Sequence, residues 1–469
     1  MSSLFAALST SAGALSAYQT VLDTVQNNVT NASTPGYARQ SVSLAARPFQ
    51  PSLGLPGGVS AGDLQSARDA FAEQNVRQQF SSLGTLEQKA QSLSDLELNF
   101  NVSSDSGIPG ALNALFQNFS SWSVTPDSGA SRQAVVDSAR QVAFSFQQTS
   151  ANVAKSFNGT GQQLQQTVNQ INHLAAQLQA DNIQRLKGHA QDAGLDAHTH
   201  ATLEQLSEFG DVTTLTQADG SVTVLLGGQT PPVIGANQYD LSATVAGGTP
   251  PARILDAQGQ DVTTHISQGK LAGLLDMYNN VLPSVGGNAY QQGDLNLLAK
   301  SVADRVNQIL TSGNISSGPP AVPGIPLFTY NAATPSGIAG TLSVNNAMTP
   351  DQLAAIDPGP PLVSNGIALR LAALASPTSA ADEISGVSYA EFYGNMASVV
   401  GRQSQDAQTQ LAVQRQTVAQ ARNLRSQASG VNLDEEAVKM VEFQRAYSAT
   451  SKMVSILDQL TQTTINMLP

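Results

Sequence analysis

Histidine and carboxylate side chains concentrate in one short stretch in the first half of the chain. His189, Asp192, Asp196, His198 and His200 follow one another closely. Imidazole nitrogens and carboxylate oxygens are common ligands of Zn²⁺. Their spacing matches neither a structural nor a catalytic zinc motif, and an exposed polar loop explains the same composition. We therefore predict no metal site in this stretch.

The rest of the chain carries no pattern that is typical of an enzyme site. It lacks a Ser-His-Asp arrangement, a phosphate-binding glycine loop and a dinucleotide-binding fingerprint. It contains no cysteine, which excludes disulfides, thiolate metal sites and cysteine nucleophiles. The carboxylates Glu435 and Glu436 begin a helix, where the helix dipole accounts for them. The sequence therefore predicts a protein that is not an enzyme and binds no cofactor.

Basic residues are grouped on the penultimate predicted helix. Arg415, Arg422 and Arg425 share this segment. We expect them to form a solvated helix face or a contact between subunits rather than a ligand site.

Composition narrows the possible partners. The 469 residues suffice for two to four domains, and only 12% of them are charged, with a net charge of −12. This acidic balance argues against binding to nucleic acid, which needs clustered Lys and Arg, and against binding to anionic membrane surfaces. Asp23 is the one charge in the first 30 residues, so the basic segment of a cleaved secretory signal is missing. We expect a cytoplasmic protein, or one exported without signal cleavage.

Apolar residues recur in alternating steps of four and three at both ends of the chain. Such spacing places them on one stripe of a helix. Each stripe needs a partner, and spacing alone leaves two solutions open: a helix pair within one chain, or contacts with neighbouring subunits. The predicted interface residues are Leu4, Leu8, Leu15, Tyr18, Leu22, Val25, Val29, Met440, Phe443, Tyr447, Val454, Leu457 and Leu468.

Helical patterns dominate the segments between these ends. The first helix should cover about 3–29 and end before a type II turn at Thr34-Pro35-Gly36-Tyr37, and Asn432 should cap the last helix. Residues 41–60, with three prolines and a Gly-Gly pair, indicate an extended, irregular connection. Further helices are predicted at 61–100, 109–122, 131–186, 270–281, 294–310 and 389–427.

A β insertion interrupts the helices. Asp219-Gly220 between two alternating runs predicts a hairpin, and nine of the 22 prolines lie between Pro319 and Pro361, which favours loops or short strands there. The predicted fold is mainly α with an inserted β domain (α+β), in an elongated rod with its terminal helices paired as a coiled coil. The predicted domains are a terminal coiled-coil domain (1–60 and 429–469), a long-helix bundle (61–210 and 267–428, including the Pro-rich 313–365) and an outer β domain (211–266).

Two terminal motifs resemble a known family. The segment from Asn27 to Arg39 is similar to the N-terminal signature of bacterial flagellar rod, hook and hook-associated proteins, and Glu442–Tyr447 is similar to their C-terminal signature. Ser429–Glu436 resembles the form found in hook-associated members. The residues that carry this resemblance are Asn27, Asn28, Asn31, Pro35, Gly36, Tyr37, Arg39, Gly430, Asn432, Leu433, Glu435, Gln444 and Tyr447.

The resemblance implies a structural subunit at the junction between flagellar hook and filament. It implies export by the flagellar type III apparatus, a transient cytoplasmic stage and a final extracellular location. Implied partners are like subunits in a ring, the hook protein, a second hook–filament junction protein and an export chaperone on the C-terminal helix. The alternatives are a secreted coiled-coil adhesin or effector with an outward β domain, a hydrolase that uses the His/Asp cluster, or a hook or distal-rod protein of the same family.

Overall fold

A computed structural model describes residues 2–50, 55–100, 105–189, 191–245 and 251–466. Helices dominate and the sheets are small and antiparallel, so the predicted mainly α fold with inserted β structure is confirmed. The helices are α1 (Ser2–Asn31), α2 (Ala70–Glu97), α3 (Gly107–Val124), α4 (Gly129–Gln184), α5 (Ala193–Phe209), α6 (Gly269–Asp276), α7 (Leu282–Gly286), α8 (Asp294–Thr311), α9 (Ile338–Thr341), α10 (Gly366–Ala372), α11 (Tyr389–Ser429) and α12 (Leu433–Asn466).

The strands pair in hairpins and in one four-stranded sheet of order β5-β6-β7-β8. They are β1 (Gln40–Ala46), β2 (Phe49–Gln50), β3 (Leu55–Pro56), β4 (Val59–Ser66), β5 (Val212–Thr216), β6 (Val222–Leu226), β7 (Thr230–Ile234), β8 (Asn237–Gln238), β9 (Ser242–Thr244), β10 (Arg253–Leu255), β11 (Asn314–Ser316), β12 (Val322–Pro323), β13 (Phe328–Thr329) and β14 (Ser343–Val344).

Two compact units make up the chain. The terminal unit draws on Met1–Leu83, Ile171–Asp240 and Gln414–Pro469, and the central unit on Gly84–Gln170 and Leu241–Val413. The strands predicted for one β domain fall in both units, with β5 to β8 in the terminal unit and β9 and β10 in the central unit. The three-domain division drawn from the sequence stays a prediction.

The segment after the first helix is a β-hairpin, so two predictions there were wrong. Residues 41–60 are not an irregular connection, because β1 pairs antiparallel with β4, with a register shift between Val42 and Leu44. Residues 61–66 are strand rather than helix, and α2 begins only at Ala70. Strands β1 and β4 are separated by more than ten residues in the chain. Short-range periodicity in the sequence therefore does not indicate that they pair.

In the terminal unit, helix α1 contacts α12 and the β1–β4 hairpin. Ala17, Val21, Val25 and Asn28 are its most buried side chains near the C-terminal end, at 1–6% exposure. They lie beside the predicted stripe rather than on it, apart from Val25. The buried side of α1 is therefore rotated away from the predicted stripe, because the β1–β4 hairpin covers a second side of the helix.

The turn after α1 has the predicted geometry. The Tyr37 amide donates to the Thr34 carbonyl at 3.1 Å, and Gly36 has φ +75°. A Cβ on Gly36 would lie 2.2 Å from the Ala197 carbonyl oxygen, because α5 packs directly on the turn. Glycine is therefore required here both for the left-handed conformation and for the close approach of a helix.

The four-stranded sheet begins with the predicted hairpin. Strands β5 and β6 pair in full register, and Gly220 in their turn has φ +80°. Strand β7 was not predicted, because Pro231 and Pro232 lack the amide N–H that a strand usually contributes.

The central unit has one large apolar core. It includes the fully buried Phe119, Trp122 and Phe146 together with residues of α8, α10 and the first part of α11. The Pro-rich segment contributes short strand pairs and the buried side chains of Leu327 and Leu342, as its composition suggested. Among the described residues, none of the helices is both long and apolar enough to cross a bilayer.

Gly36→Ala should destabilise the terminal unit by about 3 kcal/mol, since it combines backbone strain with overpacking against α5. Gly228→Ala is the matched control: Gly228 has φ +69° but open space around its Cβ position, so only the strain of about 1 kcal/mol is expected. Urea unfolding of both variants measures the difference. Equal losses would show that α5 does not press on the turn.

Candidate assembly interface

The side chain of Asn28 joins the two ends of the chain. Its Nδ2 donates to the Gln40 carbonyl at 2.8 Å and to Glu436 Oε2 at 2.9 Å. Its Oδ1 accepts from the Gln40 amide at 2.9 Å and from the Tyr37 hydroxyl at 2.8 Å. An amide side chain has two donor hydrogens and two acceptor lone pairs, and here all four are used. We refer to Asn28, Tyr37, Gln40 and Glu436 as the terminal clasp.

Local signals in the sequence bring these groups together. Asn28 lies in the last turn of α1, and the reversal at Pro35-Gly36 returns the chain so that β1 begins beside that turn. At the other end, Asn432 Oδ1 accepts from the Asp434 amide at 3.0 Å and caps α12, as predicted. The Arg39 amide donates to the Ser429 carbonyl at 2.9 Å, which ties the start of the hairpin to the chain just before α12.

Glu436 is a buried carboxylate at the start of α12. It is 1% exposed, and Lys439 Nζ donates to its Oε1 at 2.8 Å. Burial, and then the charge of Glu436, raise the pKa of Tyr37 to about 12. The Tyr37 hydroxyl therefore stays protonated and remains a donor to Asn28.

A cluster of ion pairs lies beneath the turn, within the terminal unit. Arg68 donates to Glu73 and Asp196 at 2.6 Å each and to the Gly36 carbonyl at 2.7 Å. Arg425 Nη1 lies 3.3 Å from Glu73 and 2.5 Å from Glu204. We refer to these five charged residues, Arg68, Glu73, Asp196, Glu204 and Arg425, as the ion-pair cluster.

Arginine pairing controls the charge of Glu204. Burial alone would raise the pKa of Glu204, but hydrogen bonds and charges from Arg422 and Arg425 outweigh burial and hold the pKa below its ordinary value. Arg422 also lies over the Phe80 ring, 4.4 Å from its centroid. Arg422 and Arg425 therefore pair within the chain; Arg422 keeps about half of its side chain exposed, as a solvated helix face predicts, and a contact between subunits stays a prediction.

The histidine-rich stretch is helical, so the expected exposed loop was wrong. Asp192 caps α5, His198 Nδ1 lies 2.9 Å from Asp181 Oδ2, and His200 lies 3.7 Å from Asp196. Burial, and next the charge of Arg68, lower the pKa of His200 to about 3. In the part of the chain that the structure describes, no three His, Asp or Glu side chains are arranged to hold a metal ion.

Comparisons with known proteins match both the ends and the interior of the chain. The model of the flagellar hook-associated protein FlgK helical domain matches residues 93–328, which is half of the chain. The model of the flagella basal body rod protein matches residues 8–37, and that of the C-terminal region of the basal body rod FlgEFG proteins matches 425–467.

The chain belongs to the flagellar hook-associated protein FlgK family. The resemblance drawn from the terminal motifs is thereby confirmed. The function is structural: the protein is a component of the bacterial flagellum, in the family that forms the hook–filament junction.

Individual relatives agree with this assignment. Flagellar hook-associated protein 1 of Bacillus subtilis (strain 168) is 27% identical, with 99% of both chains covered. The Escherichia coli (strain K12) protein of the same name is 23% identical, with 97% of this chain and 98% of the relative covered. The solved structure of the flagellar hook junction protein FlgK from Burkholderia pseudomallei shares the fold, with a TM-score of 0.64 and 14% identity over 75% of this chain and 99% of that one.

Most predicted interface residues lie half-buried along the α1–α12 pair. The rings of Tyr18 and Phe443 meet with centroids 6.1 Å apart. Val25 is buried, Val29 is 36% exposed, and Leu468 lies outside the described residues. The half-buried members are Leu4, Leu8, Leu15, Tyr18, Leu22, Met440, Phe443, Tyr447, Val454 and Leu457. Their part in assembly stays a prediction.

The family-motif residues divide between the clasp and its supports. Asn27 donates to the Tyr37 hydroxyl at 3.2 Å, and Arg39 Nη1 lies 3.5 Å from Glu435. Asn31 Nδ2 donates to the Asn27 carbonyl at 3.0 Å, and the Gly430 amide donates to the Ser426 carbonyl at 2.9 Å where α11 ends. Six of the motif residues are exposed, namely Asn27, Pro35, Asn432, Leu433, Glu435 and Gln444.

Sequence reasoning missed Glu436, Gln40 and Arg68 as functional positions. A favourable interaction with the dipole of α12 accounts for three consecutive acidic residues together. Sequence reasoning therefore assigned Glu436 no role of its own. Its spacing was a usable signal, since Glu436 precedes Met440 and Phe443 in the same four-three series. A charged residue in an apolar stripe indicates a buried partner.

Glu73→Gln should lower the free energy of unfolding by about 3 kcal/mol, because it removes the charge shared by two arginines from a buried site while keeping the shape. The control is Glu442→Gln on the exposed side of α12, where a change within about 0.5 kcal/mol is expected. Urea denaturation compares the two. A similar, small effect of both would mean that the ion-pair cluster does not hold the terminal unit together.

Stability should fall with acidification through His200. Because its folded pKa lies far below the ordinary 6.5, the unfolded chain alone binds the proton as pH falls from 6.5 towards 3, so stability present above 6.5 is lost in that window. The loss should be about 1.4 kcal/mol per pH unit, and His200→Gln should abolish it. Unfolding curves at several pH values test this, with pH 8 reporting the packing effect of the substitution alone. Parallel profiles of parent and variant would refute it.

Proposed function

We propose that this protein assembles into the hook–filament junction through its terminal helices, with the outer face of α12 as the main contact surface. The outer face is the set of apolar residues that point away from α1: Val438, Val441, Met453, Ile456 and Leu460. These side chains are 49–67% exposed. At about 100° per residue they fall in one sector of about 120°, on the side of α12 opposite Phe443 and Tyr447.

This outer face is the observation that carries the proposal. Helix α12 has apolar residues on two sides, and α1 covers only the side of Phe443. A helix that is apolar on two sides is typical of a buried element, so a second cover from another molecule completes its environment. Burying five half-exposed aliphatic side chains contributes about 1 kcal/mol each, or roughly 5 kcal/mol per subunit, before the entropy of association is subtracted.

Low charge favours the approach of like subunits. Helix α1 carries a single charged residue, Asp23, and the surface of the chain is rich in uncharged polar side chains. Helix α12 carries five acidic and three basic residues, so the charges of the helix pair partly cancel and copies of it meet without strong mutual repulsion. The proposed partners are copies of this chain in a ring, the hook protein and a second hook–filament junction protein.

Export and protection before assembly follow from the same surface. An exposed apolar face on α12 promotes aggregation in the cytoplasm. We propose that an export chaperone covers α12 until the protein passes, uncleaved, through the flagellar type III apparatus to its extracellular position. In this role the protein is not an enzyme, and α12 is its main recognition element.

A triple variant tests the outer face: Val438→Gln, Ile456→Gln and Leu460→Gln together. Glutamine keeps the net charge and suits a helix at least as well as Val or Ile, so the isolated protein should keep its helix content and its melting temperature within a few degrees. In cells that lack the native protein, the variant should fail to restore motility and should be absent from the hook–filament joint in immuno-electron microscopy.

Phe443→Ala is the matched control on the covered side of α12. It should lower the free energy of unfolding by about 3 kcal/mol, because it leaves a cavity against Tyr18. Normal motility and normal joint labelling with the triple variant would refute the outer face as the contact surface.

A further inference from the structure

The contact between α1 and α12 is repetitive along its length. On α1, Tyr18 meets Phe443, and Leu15, Leu22 and Val25 share the stripe of Tyr18; on α12, Phe443, Tyr447 and Val454 repeat at steps of four and seven. Sliding one helix by a turn would again place apolar side chains against apolar side chains. Apolar packing of this kind specifies that the helices pair, and specifies their axial register only weakly.

Asn28 and Glu436 form a polar contact between the two helices. Both are 1% exposed, and the Asn28 Nδ2 to Glu436 Oε2 hydrogen bond of 2.9 Å crosses directly from one helix to the other. Lys439, the other partner of Glu436, lies on α12 and moves with it. A shift of one turn carries Glu436 about 6 Å along the axis and leaves a buried carboxylate and a buried amide hydrogen without each other.

Asn28 is itself held in place by backbone groups. Gln40 uses both its amide and its carbonyl to bond the Asn28 side chain, so Asn28 cannot follow Glu436 without breaking contacts to β1. The Arg39 amide bond to the Ser429 carbonyl fixes the start of β1 to the last residue of α11, three residues before the α12 cap. The clasp therefore ties one end of the helix pair at a single axial position.

We propose that Asn28 and Glu436 are positioning residues that set the axial register of α12 against α1. A buried polar pair in an otherwise apolar helix contact is a known means of selecting one register. Its consequence for assembly rests on the proposed function, because the register decides which part of the outer face of α12 stands beside which part of α1. The register itself is a property of the single subunit.

The absence of cysteine from the chain allows a direct measurement. Three double-cysteine proteins combine Tyr18→Cys with Phe443→Cys, with Met440→Cys or with Tyr447→Cys. The first pair reports the native register, where the two rings meet, and the others report shifts of about one turn in either direction. Cross-linking of the monomer with a methylene-bridged bis-methanethiosulfonate should give the first product predominantly.

The test variant adds Asn28→Leu and Glu436→Leu, which replace the polar pair by apolar residues that extend the helix contact. The ratio of native to shifted cross-links should fall by at least about tenfold, the change expected when one charge-assisted hydrogen bond no longer separates the registers. The control adds Gln26→Leu and Glu442→Leu, which make the same kind of change at exposed positions of the same helices and should leave the ratio unchanged.

Other outcomes have defined meanings. An unchanged ratio in the variant with Asn28→Leu and Glu436→Leu refutes the proposal. An equal fall of all three products also refutes it, because it would show a contact that holds the helices together without selecting a register. If the Leu pair fails to fold by circular dichroism, Asn28→Asp provides the same test, since it keeps the shape but cannot donate to Glu436. Glu436→Gln keeps an acceptor and should retain the native ratio. Because the measurement uses monomers, the register proposal would stand even if the assembly proposal failed. A shifted register with normal assembly would contradict only the proposed role of the outer face.

Discussion

The fully bonded side chain of Asn28 is the interaction on which the terminal unit depends. One amide in the last turn of α1 satisfies both backbone groups of Gln40, receives the Tyr37 hydroxyl and reaches Glu436 more than 400 residues later in the chain. Each hydrogen bond contributes about 1 kcal/mol on its own. Their combined effect is larger, because the loss of Asn28 leaves a backbone carbonyl, a backbone amide and a carboxylate buried without this partner.

The terminal clasp depends on the tight turn at Gly36 and on the ion-pair cluster. Gly36 allows α5 to approach the turn, and Arg68 fixes the Gly36 carbonyl while it neutralises Glu73 and Asp196. Only 12% of the chain is charged, yet charged groups gather in this cluster inside the terminal unit. Buried ion pairs add little net stability, but they penalise every arrangement that separates them. The few charges of this protein therefore act mainly to define one geometry where the chain ends converge.

The sequence predicted the features that short stretches encode. The Pro35-Gly36 turn, the Asn432 cap, the Asp219-Gly220 hairpin and the long helices all have local signals, and the structure confirms them. The features that failed depend on partners distant in the chain. Residues 61–66 form a strand only because β1 lies beside them, and the partial burial of His200 and the burial of Glu436 depend on elements that meet in space. A polar residue on an apolar stripe was the sequence signal at Glu436, whereas Asn28 lies beside the predicted stripe of α1.

In the proposed assembly, one side of α12 serves folding and the other serves contacts between subunits. The side of Phe443 finds its cover within the chain, and the clasp fixes where along α1 that cover begins. The opposite side then presents Val438, Ile456 and Leu460 at defined positions relative to α1, and not merely on some exposed surface. An apolar face without a fixed register would bind like faces in many alignments and favour disordered aggregation. For the ring that we propose, a specific polar contact inside each chain is therefore needed before the apolar contacts between chains become selective.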